Sequence, residues 1–415
     1  MLNIIGFKRY PRIYQAICLG LGFTLIQVLF GCLFSNSQNL VEGYSKLCQW
    51  DCDWYTHIIE HGYRSTIPPT PQNPDLSNVA FFPGYPVIAG FIKNVFNLPT
   101  QTALLLAAQI ACWGFWTYVF LFFQRWRISD KLSLCGAIAI LVHPAAFYLV
   151  AGYSESLFLM MLLGFLYWTA SKKRVAWILA ATHGFVMTAT RVVGLPIAIY
   201  PLFHFWLLSA KDRPAKPFRF WQKSSKYLLV SAVSILGSLL FFAFCYFKFG
   251  AWNFYMQTQA IGWGVKPNYL AIFKPESYFA FLDPKILNLP GVINAISVPF
   301  ALISFFIVFL LERKAAPFLI EGSWKQRAEF YVAGWLMFYL SACGMSSLSM
   351  TSMVRYTFCV HVVLVLATIH LISRTQFYRL FNQKWIVFLL LLMATPSLLL
   401  QMKFVGMFTN MQWVA

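Results

Sequence analysis

Residues 227–247 read YLLVSAVSILGSLLFFAFCYF. No side chain in this stretch is charged at neutral pH. A helix needs roughly 20 consecutive apolar residues to cross a bilayer's hydrocarbon core. In lipid the backbone must satisfy its own hydrogen bonds, so a continuous apolar run of this length is a helix. A barrel strand would alternate apolar and polar residues instead. The same signature recurs at Ile13–Leu33, Ala103–Phe123, Val292–Leu311 and Trp385–Leu400. Hydrophobic residues make up 59% of the chain, charged residues 11%, and mean hydropathy is +0.64. A soluble domain carries about 25% charged residues, so an ordinary soluble protein is excluded.

The net charge of +19 would suit nucleic acid if it formed a continuous patch. Instead the cations fall in short blocks between apolar runs: Lys8 to Arg12, Arg125 to Lys131, Lys172 to Arg174, Lys211 to Lys226, Arg313 to Arg327 and Arg374 to Lys384. Nucleic acid is therefore not an expected partner. Basic loops stay cytoplasmic, which predicts a cytoplasmic N-terminus and spans at 13–34, 100–123, 132–150, 155–171, 175–190, 194–210, 227–248, 291–311, 330–348, 353–373 and 385–402. The expected fold class is an all-α polytopic membrane protein, a bundle of about 11 transmembrane helices forming a single domain over 1–415. Phe81–Phe96 is also apolar, but counting it as a span would put Arg125 to Lys131 outside. Its Pro83 and Pro86 further disfavour a straight crossing. It is expected to lie on or dip into the outer interface. Leu29-Phe30-Gly31-Cys32 loosely resembles a lipoprotein cleavage box, yet Phe30 and the spans that follow favour a retained anchor. Cys48 and Cys52 are spaced for a disulfide or half a metal site; separate thiols are the expected state.

Two predicted outer loops, 35–99 and 249–290, are too long to be connectors, and long ordered loops tend to carry function. In the first, Trp50-Asp51-Cys52-Asp53-Trp54-Tyr55-Thr56-His57-Ile58-Ile59-Glu60-His61-Gly62-Tyr63 reads as an amphipathic surface helix. Trp50, Trp54 and Ile58 form a stripe at headgroup depth, with the acids toward water. Gly62 suits its end. Asp51 is either an N-cap or a catalytic group, and Asp53 either a first-turn acid or its partner. His57 and His61 read as interfacial polar residues and weaker site candidates. Tyr153 and Glu155 in Ala151-Gly152-Tyr153-Ser154-Glu155-Ser156, Arg191 in Thr190-Arg191-Val192-Val193-Gly194, and Arg355 in Val354-Arg355-Tyr356 fall at the same predicted face. Ionisable groups at span edges are costly and are read as functional. Arginine is well built to grip a phosphate. The second loop adds Gln259, Trp263 and Lys266. A carboxylate that can deprotonate an acceptor hydroxyl, beside cations that can steady a departing phosphate, suits sugar transfer from a lipid phosphate. The same groups would also suit a transporter.

These residues carry a resemblance. Trp50-Asp51-x-Asp53, Glu60-His61-Gly62-Tyr63 and Ala80-Phe81-Phe82-Pro83-Gly84-Tyr85-Pro86 resemble the first luminal loop of the PIG-V (GPI mannosyltransferase II type) family. Ala151 to Ser156, Thr190 to Gly194 and Arg355-Tyr356 are similar to its later motifs, over about residues 45–360. The resemblance implies a GT-C-like bundle with interfacial helices in the first outer loop. It implies an inverting glycosyltransferase that moves a sugar, mannose first, from a polyprenyl- or dolichyl-phosphate donor to a glycan or glycolipid hydroxyl. Asp51 would be the base with Asp53 second. Arg191 and Arg355 would hold the donor phosphate. Beside the resemblance, Lys266 is a further donor-phosphate candidate, and His57, His61, Tyr85, Tyr153, Glu155, Gln259 and Trp263 are candidate substrate-binding residues. No cofactor is implied and no metal is required, although Asp51, Asp53 or Glu155 could hold an external divalent ion. The chain lacks an Asn-x-Ser/Thr sequon, which favours a bacterial inner membrane over an endoplasmic reticulum membrane, with the site facing the periplasm or lumen. A lipid flippase and a catalytically dead subunit of a glycosylation complex are the rival readings.

Overall fold

A computed structural model describes residues 12–64, 77–171, 173, 175–208, 217–274, 288–319, 323–375, 379 and 383–414, which contain helices and turns and no strand. The helices are α1 (Arg12–Leu33), α2 (Leu40–Ser45), α3 (Asp51–His61), α4 (Gly84–Phe96), α5 (Thr100–Arg125), α6 (Asp130–Leu141), α7 (Glu155–Thr169) and α8 (Ala176–Thr190). They continue as α9 (Gly194–Ile197), α10 (Tyr200–Leu208), α11 (Pro217–Phe249), α12 (Phe254–Gly262), α13 (Leu289–Ala315), α14 (Lys325–Met345), α15 (Met353–Ser373) and α16 (Lys384–Thr409). Among the described residues six helical segments are long and apolar enough to cross a membrane: Arg12–Leu33, Thr100–Arg125, Ser224–Phe249, Leu289–Ala315, Lys325–Leu348 and Met353–Ser373. The protein is a multi-pass membrane protein. At 13 residues, α4 is too short to cross.

Two expected spans are not continuous helices. The run 132–150 stops as α6 at Leu141 and resumes only as the 3-10 turn Ala146–Leu149. Pro144 lies in the gap and has no N–H to carry the ladder onward. The run 194–210 splits into α9 and α10. Pro201 cannot donate to Ile197, and the chain reconnects through a tighter bond from Leu202 N–H to Ile199 O. The expected pair of separate thiols is also corrected: Cys48 and Cys52 are disulfide-bonded, and the other cysteines are thiols.

The chain divides into two compact units. One comprises 1–49, 109–151 and 268–415. Its α15 packs against α13, α14 and α6. Fully buried Arg327 links three of these helices: its Nε donates to Glu312 at 2.7 Å, its Nη2 bonds the second Glu312 oxygen, and its Nη1 meets His370 Nδ1 at 3.1 Å. Tyr331 OH donates to the same carboxylate at 2.8 Å. Charge in such surroundings is tolerable only when paired and hydrogen-bonded. Buried Gln27 on α1 accepts from Trp116 Nε1 at 2.7 Å and donates to Ala146 O at 3.1 Å, tying down the 3-10 turn.

The second unit comprises 50–108 and 152–267. Here α8 packs on α7 and α11. Close approach is needed because apolar lipid gives helices little hydrophobic reason to associate. A Cβ on Gly237 would sit 2.1 Å from Phe185 O, so glycine lets α11 meet α8 backbone to backbone. Ser238 Oγ then donates to Thr188 O at 2.8 Å across the same seam. Hydrogen bonds of this kind contribute about 0.6 kcal/mol each on average in a membrane.

Candidate functional site

The second unit gathers most of the chemistry-bearing residues around α3. Two first-turn acids, Asp51 and Asp53, are favoured by the dipole at the helix start. Trp50 occupies the cap position at φ 59°, ψ −105° and makes no side-chain capping bond. That corrects the N-cap alternative for Asp51: it lies inside the helix, 9% exposed and not turned to water. A bulky residue held at positive φ is strained, and such strain concentrates at functional sites. Gly62 follows the helix at φ 72°, in the expected terminating role.

The Trp50, Trp54 and Ile58 stripe also makes contacts within the protein. Ile58 is buried, and Trp54 packs on protein: its ring centroid lies 5.8 Å from Phe81 and 5.5 Å from Trp263. Phe81 and Trp263 are themselves 5.8 Å apart, edge to face. Thus the first loop's Phe81 motif and the second loop's Trp263 close on one side of α3. Gln259 on α12 reinforces the closure, donating from Nε2 to Ala80 O at 3.1 Å. Lys266, just beyond, is exposed.

Asn78 fixes the other end of the loop. Its Nδ2 donates to Gly62 O at 2.9 Å and to His57 Nδ1 at 3.1 Å, while its Oδ1 accepts from Arg64 N–H at 2.9 Å. The His57 ring lies 5.0 Å from His61. Glu60 accepts from Thr100 Oγ1 at 2.7 Å, joining α3 to α5's first turn. Tyr85 is fully buried and donates from its hydroxyl to Leu104 O at 2.7 Å.

The segment after Ala151 carries two key contacts. Tyr153, 2% exposed, accepts at its hydroxyl from Asp51 N–H at 3.4 Å. Two residues on, Glu155 begins α7 with no exposure and pairs with Arg191 Nη1 at 2.7 Å. Two residues of chain span at most about 7 Å. The Asp51 contact and the Glu155–Arg191 pair therefore lie on one short stretch. Arg191 caps the C-terminus of α8, where the chain turns extended, and its guanidinium also lies over Phe158 at 5.8 Å. A cation at a helix C-terminus is favoured by the dipole.

Gly84 explains why Phe82-Pro83-Gly84-Tyr85 carries glycine. A Cβ there would meet Thr190 Oγ1 at 2.6 Å and Ala189 O at 2.8 Å. The start of α4 thus presses on the last turn of α8, one residue before Arg191. Asp53 is accessible, yet the protein mass around it disfavours its charged form and raises its pKa above the ordinary carboxylate value. Among the described residues no group of three or more His, Cys, Asp or Glu is placed to hold a metal.

Arg355 belongs to the first unit. It is 7% exposed in the first turn of α15, its guanidinium 5.4 Å from the Tyr148 ring and 5.8 Å from Tyr356. Ser349, Met350 and Ser352 all have positive φ just before it. Buried Asn294 accepts from Val354 N–H at 2.9 Å and donates to Val414 O at 3.1 Å, setting where α15 begins. Sequence reading missed Asn294 and Asn78. Each is a polar residue isolated among apolar ones, and only three-dimensional packing reveals its partners.

No family model matches the chain. It is 28% identical over 137 residues to GPI alpha-1,6-mannosyltransferase 2 of Mus musculus, a match covering 30% of this chain and 25% of that protein. Its fold resembles the oligosaccharyltransferase of Archaeoglobus fulgidus in the apo form, with TM-score 0.50 and 13% identity, over 96% of this chain and 56% of that one. The archaeal oligosaccharyltransferase AglB of the same organism, solved with an inhibitory peptide and a dolichol-phosphate, gives TM-score 0.48 and 12% identity over the same shares. The chain thus covers a quarter of the curated relative and just over half of the solved structures.

Proposed function

We propose that the protein is a GT-C glycosyltransferase that moves a sugar, mannose first among candidates, from a polyprenyl-phosphate donor to a hydroxyl of a lipid-linked or surface glycan. The reaction face is the non-cytoplasmic one. The observation that carries this reading is Asp51, buried in α3's first turn and bonded through its N–H to Tyr153, with the Glu155–Arg191 pair two residues further along. The partial identity to a mannosyltransferase and the fold likeness support it.

In this mechanism Asp51 takes the proton of the acceptor hydroxyl. The freed oxygen forms a bond to the anomeric carbon as the bond from that carbon to the donor phosphate oxygen breaks. The electron pair leaves with the lipid phosphate, and single displacement inverts the anomeric centre. Arg191 and Lys266 stabilise the phosphate as charge develops on it. Glu155 positions Arg191, and Asp53 supports the base. His57, His61, Tyr153, Gln259 and Trp263 orient substrate, while Tyr85 and Asn78 keep the loop frame in register.

The test supplies purified protein in detergent with radiolabelled mannose, glucose and galactose on short polyprenyl phosphates, together with a lipid-linked glycan acceptor. Transfer from one donor supports the proposal. Transport of the intact donor across a vesicle bilayer without transfer would point to a flippase, and neither activity would leave a non-catalytic subunit.

A further inference from the structure

At the Arg12 end of α1 lies a cavity of about 640 Å³, bounded by α1, the last turn of α5 and the first turn of α6. Pockets that hold small ligands run roughly 300–1,000 Å³. Leu33, at the other end of α1, is a helix length of about 33 Å away. The cavity wall is apolar, including Leu19, Phe23, Phe120 and Phe123; its charged lining is Arg12, Arg127 and Lys131 against one carboxylate, Asp130. None of these groups enters the proposed transfer chemistry.

Arg127 is the informative residue. α5 ends in a bond from Ile128 N–H back to Phe123 O at 2.9 Å, with Arg127 between them at φ 55°. That is the left-handed position of a helix-ending motif that glycine ordinarily fills. Placing arginine there is unfavourable for the backbone, and strain of this kind persists where a side chain is needed. What it delivers is a guanidinium at the mouth of an apolar crevice, where two membrane-crossing helices end. A guanidinium matches phosphate oxygens in a two-pronged hydrogen bond. Phenyl and leucyl walls offer nothing to a dissolved anion but suit an acyl chain. Basic pockets between transmembrane helices are a recurring seat for anionic headgroups.

We infer that this cavity binds an anionic phospholipid, its phosphate held by Arg127 and Arg12 with Lys131 and its acyl chain along Phe23, Phe120 and Phe123. The site is independent of the transfer reaction. Asp130 lowers the cavity's positive charge and selects against densely charged ligands.

The test is native mass spectrometry of purified protein titrated with phosphatidylglycerol, phosphatidylcholine, farnesyl phosphate or inorganic phosphate. Wild type is expected to bind phosphatidylglycerol at least tenfold more tightly than phosphatidylcholine. Arg127→Gly relieves the backbone, so it folds at least as stably, and together with Arg12→Gln it is expected to lose that preference by at least tenfold. Leu134→Trp, which fills the cavity and leaves every cation, is expected to lose binding equally. Equal affinity for the two phospholipids would overturn the inference. So would loss in the charge variant with none in Leu134→Trp, which would mean a diffuse surface attraction. Preference for farnesyl phosphate, or displacement by inorganic phosphate alone, would equally overturn the phospholipid assignment.

Discussion

Replacing Glu155 by Gln keeps its shape and removes its charge beside Arg191. The Glu155 side chain is fully buried and that of Arg191 is 13% exposed, with oxygen and nitrogen 2.7 Å apart. Losing one partner of a buried pair costs about 3–5 kcal/mol, because the other charge is left uncompensated. The slight exposure of Arg191 places the expected loss near the lower end, about 3 kcal/mol. Arg191→Gln removes a charged donor from a carboxylate with no exposure, and is expected to cost about 4 kcal/mol. In the double variant both charges are gone and two amides can still pair. Its loss should fall short of the sum by about 2 kcal/mol, the value of a charged hydrogen bond. The assay is reversible unfolding in mixed micelles, followed by tryptophan fluorescence and treated as a double-mutant cycle. Losses that add to within about 0.5 kcal/mol, as for independent sites, would refute the claim that the pair is coupled.

Three further outcomes are expected. Gly84→Ala drives a Cβ into the backbone at Ala189 and should cost about 1–3 kcal/mol in the same assay; Gly90→Ala, inside α4 with its added Cβ 3.8 Å from Ile59, should be neutral or stabilising by up to about 1 kcal/mol. Asp53 has a raised pKa in the folded protein, so its protonated form favours folding; that stability is present below the ordinary value of 3.8 and is lost as pH rises through the folded pKa. Melting temperature against pH should therefore fall less steeply above pH 4 in Asp53→Asn than in wild type. Trp263→Ala opens the aromatic closure on Trp54 and Phe81 and should raise KM for the acceptor more than it lowers kcat; an unchanged KM would remove Trp263 from the acceptor contact.

The membrane helices were legible in sequence because continuous apolarity has one meaning in lipid. Breaks were harder to place: Pro144 and Pro201 interrupt runs whose hydropathy continues across them, and a window average cannot register a single missing N–H. The site was partly legible. Asp51, Glu155 and Arg191 stand out as charges in apolar surroundings, and the structure joins Asp51 to Tyr153 and Glu155 to Arg191. The packing of Trp54 on Phe81 and Trp263 was not legible, since an aromatic stripe at helical spacing suits a membrane surface and a protein core equally. Nor was the Glu312–Arg327–His370 node, because its members lie far apart in sequence and Arg327 reads as one more basic loop residue.

Asp51 as the base is the centre of the account. The direct measurement is single-turnover transfer of labelled mannose from a saturating short polyprenyl-phosphate mannose, comparing wild type with Asp51→Asn of matched stability. Losing a positioned base costs about 10²–10⁴-fold in rate, so the variant's transfer constant should fall by at least a hundredfold with donor affinity little changed. Transfer by Asp51→Asn at the wild-type rate would contradict it.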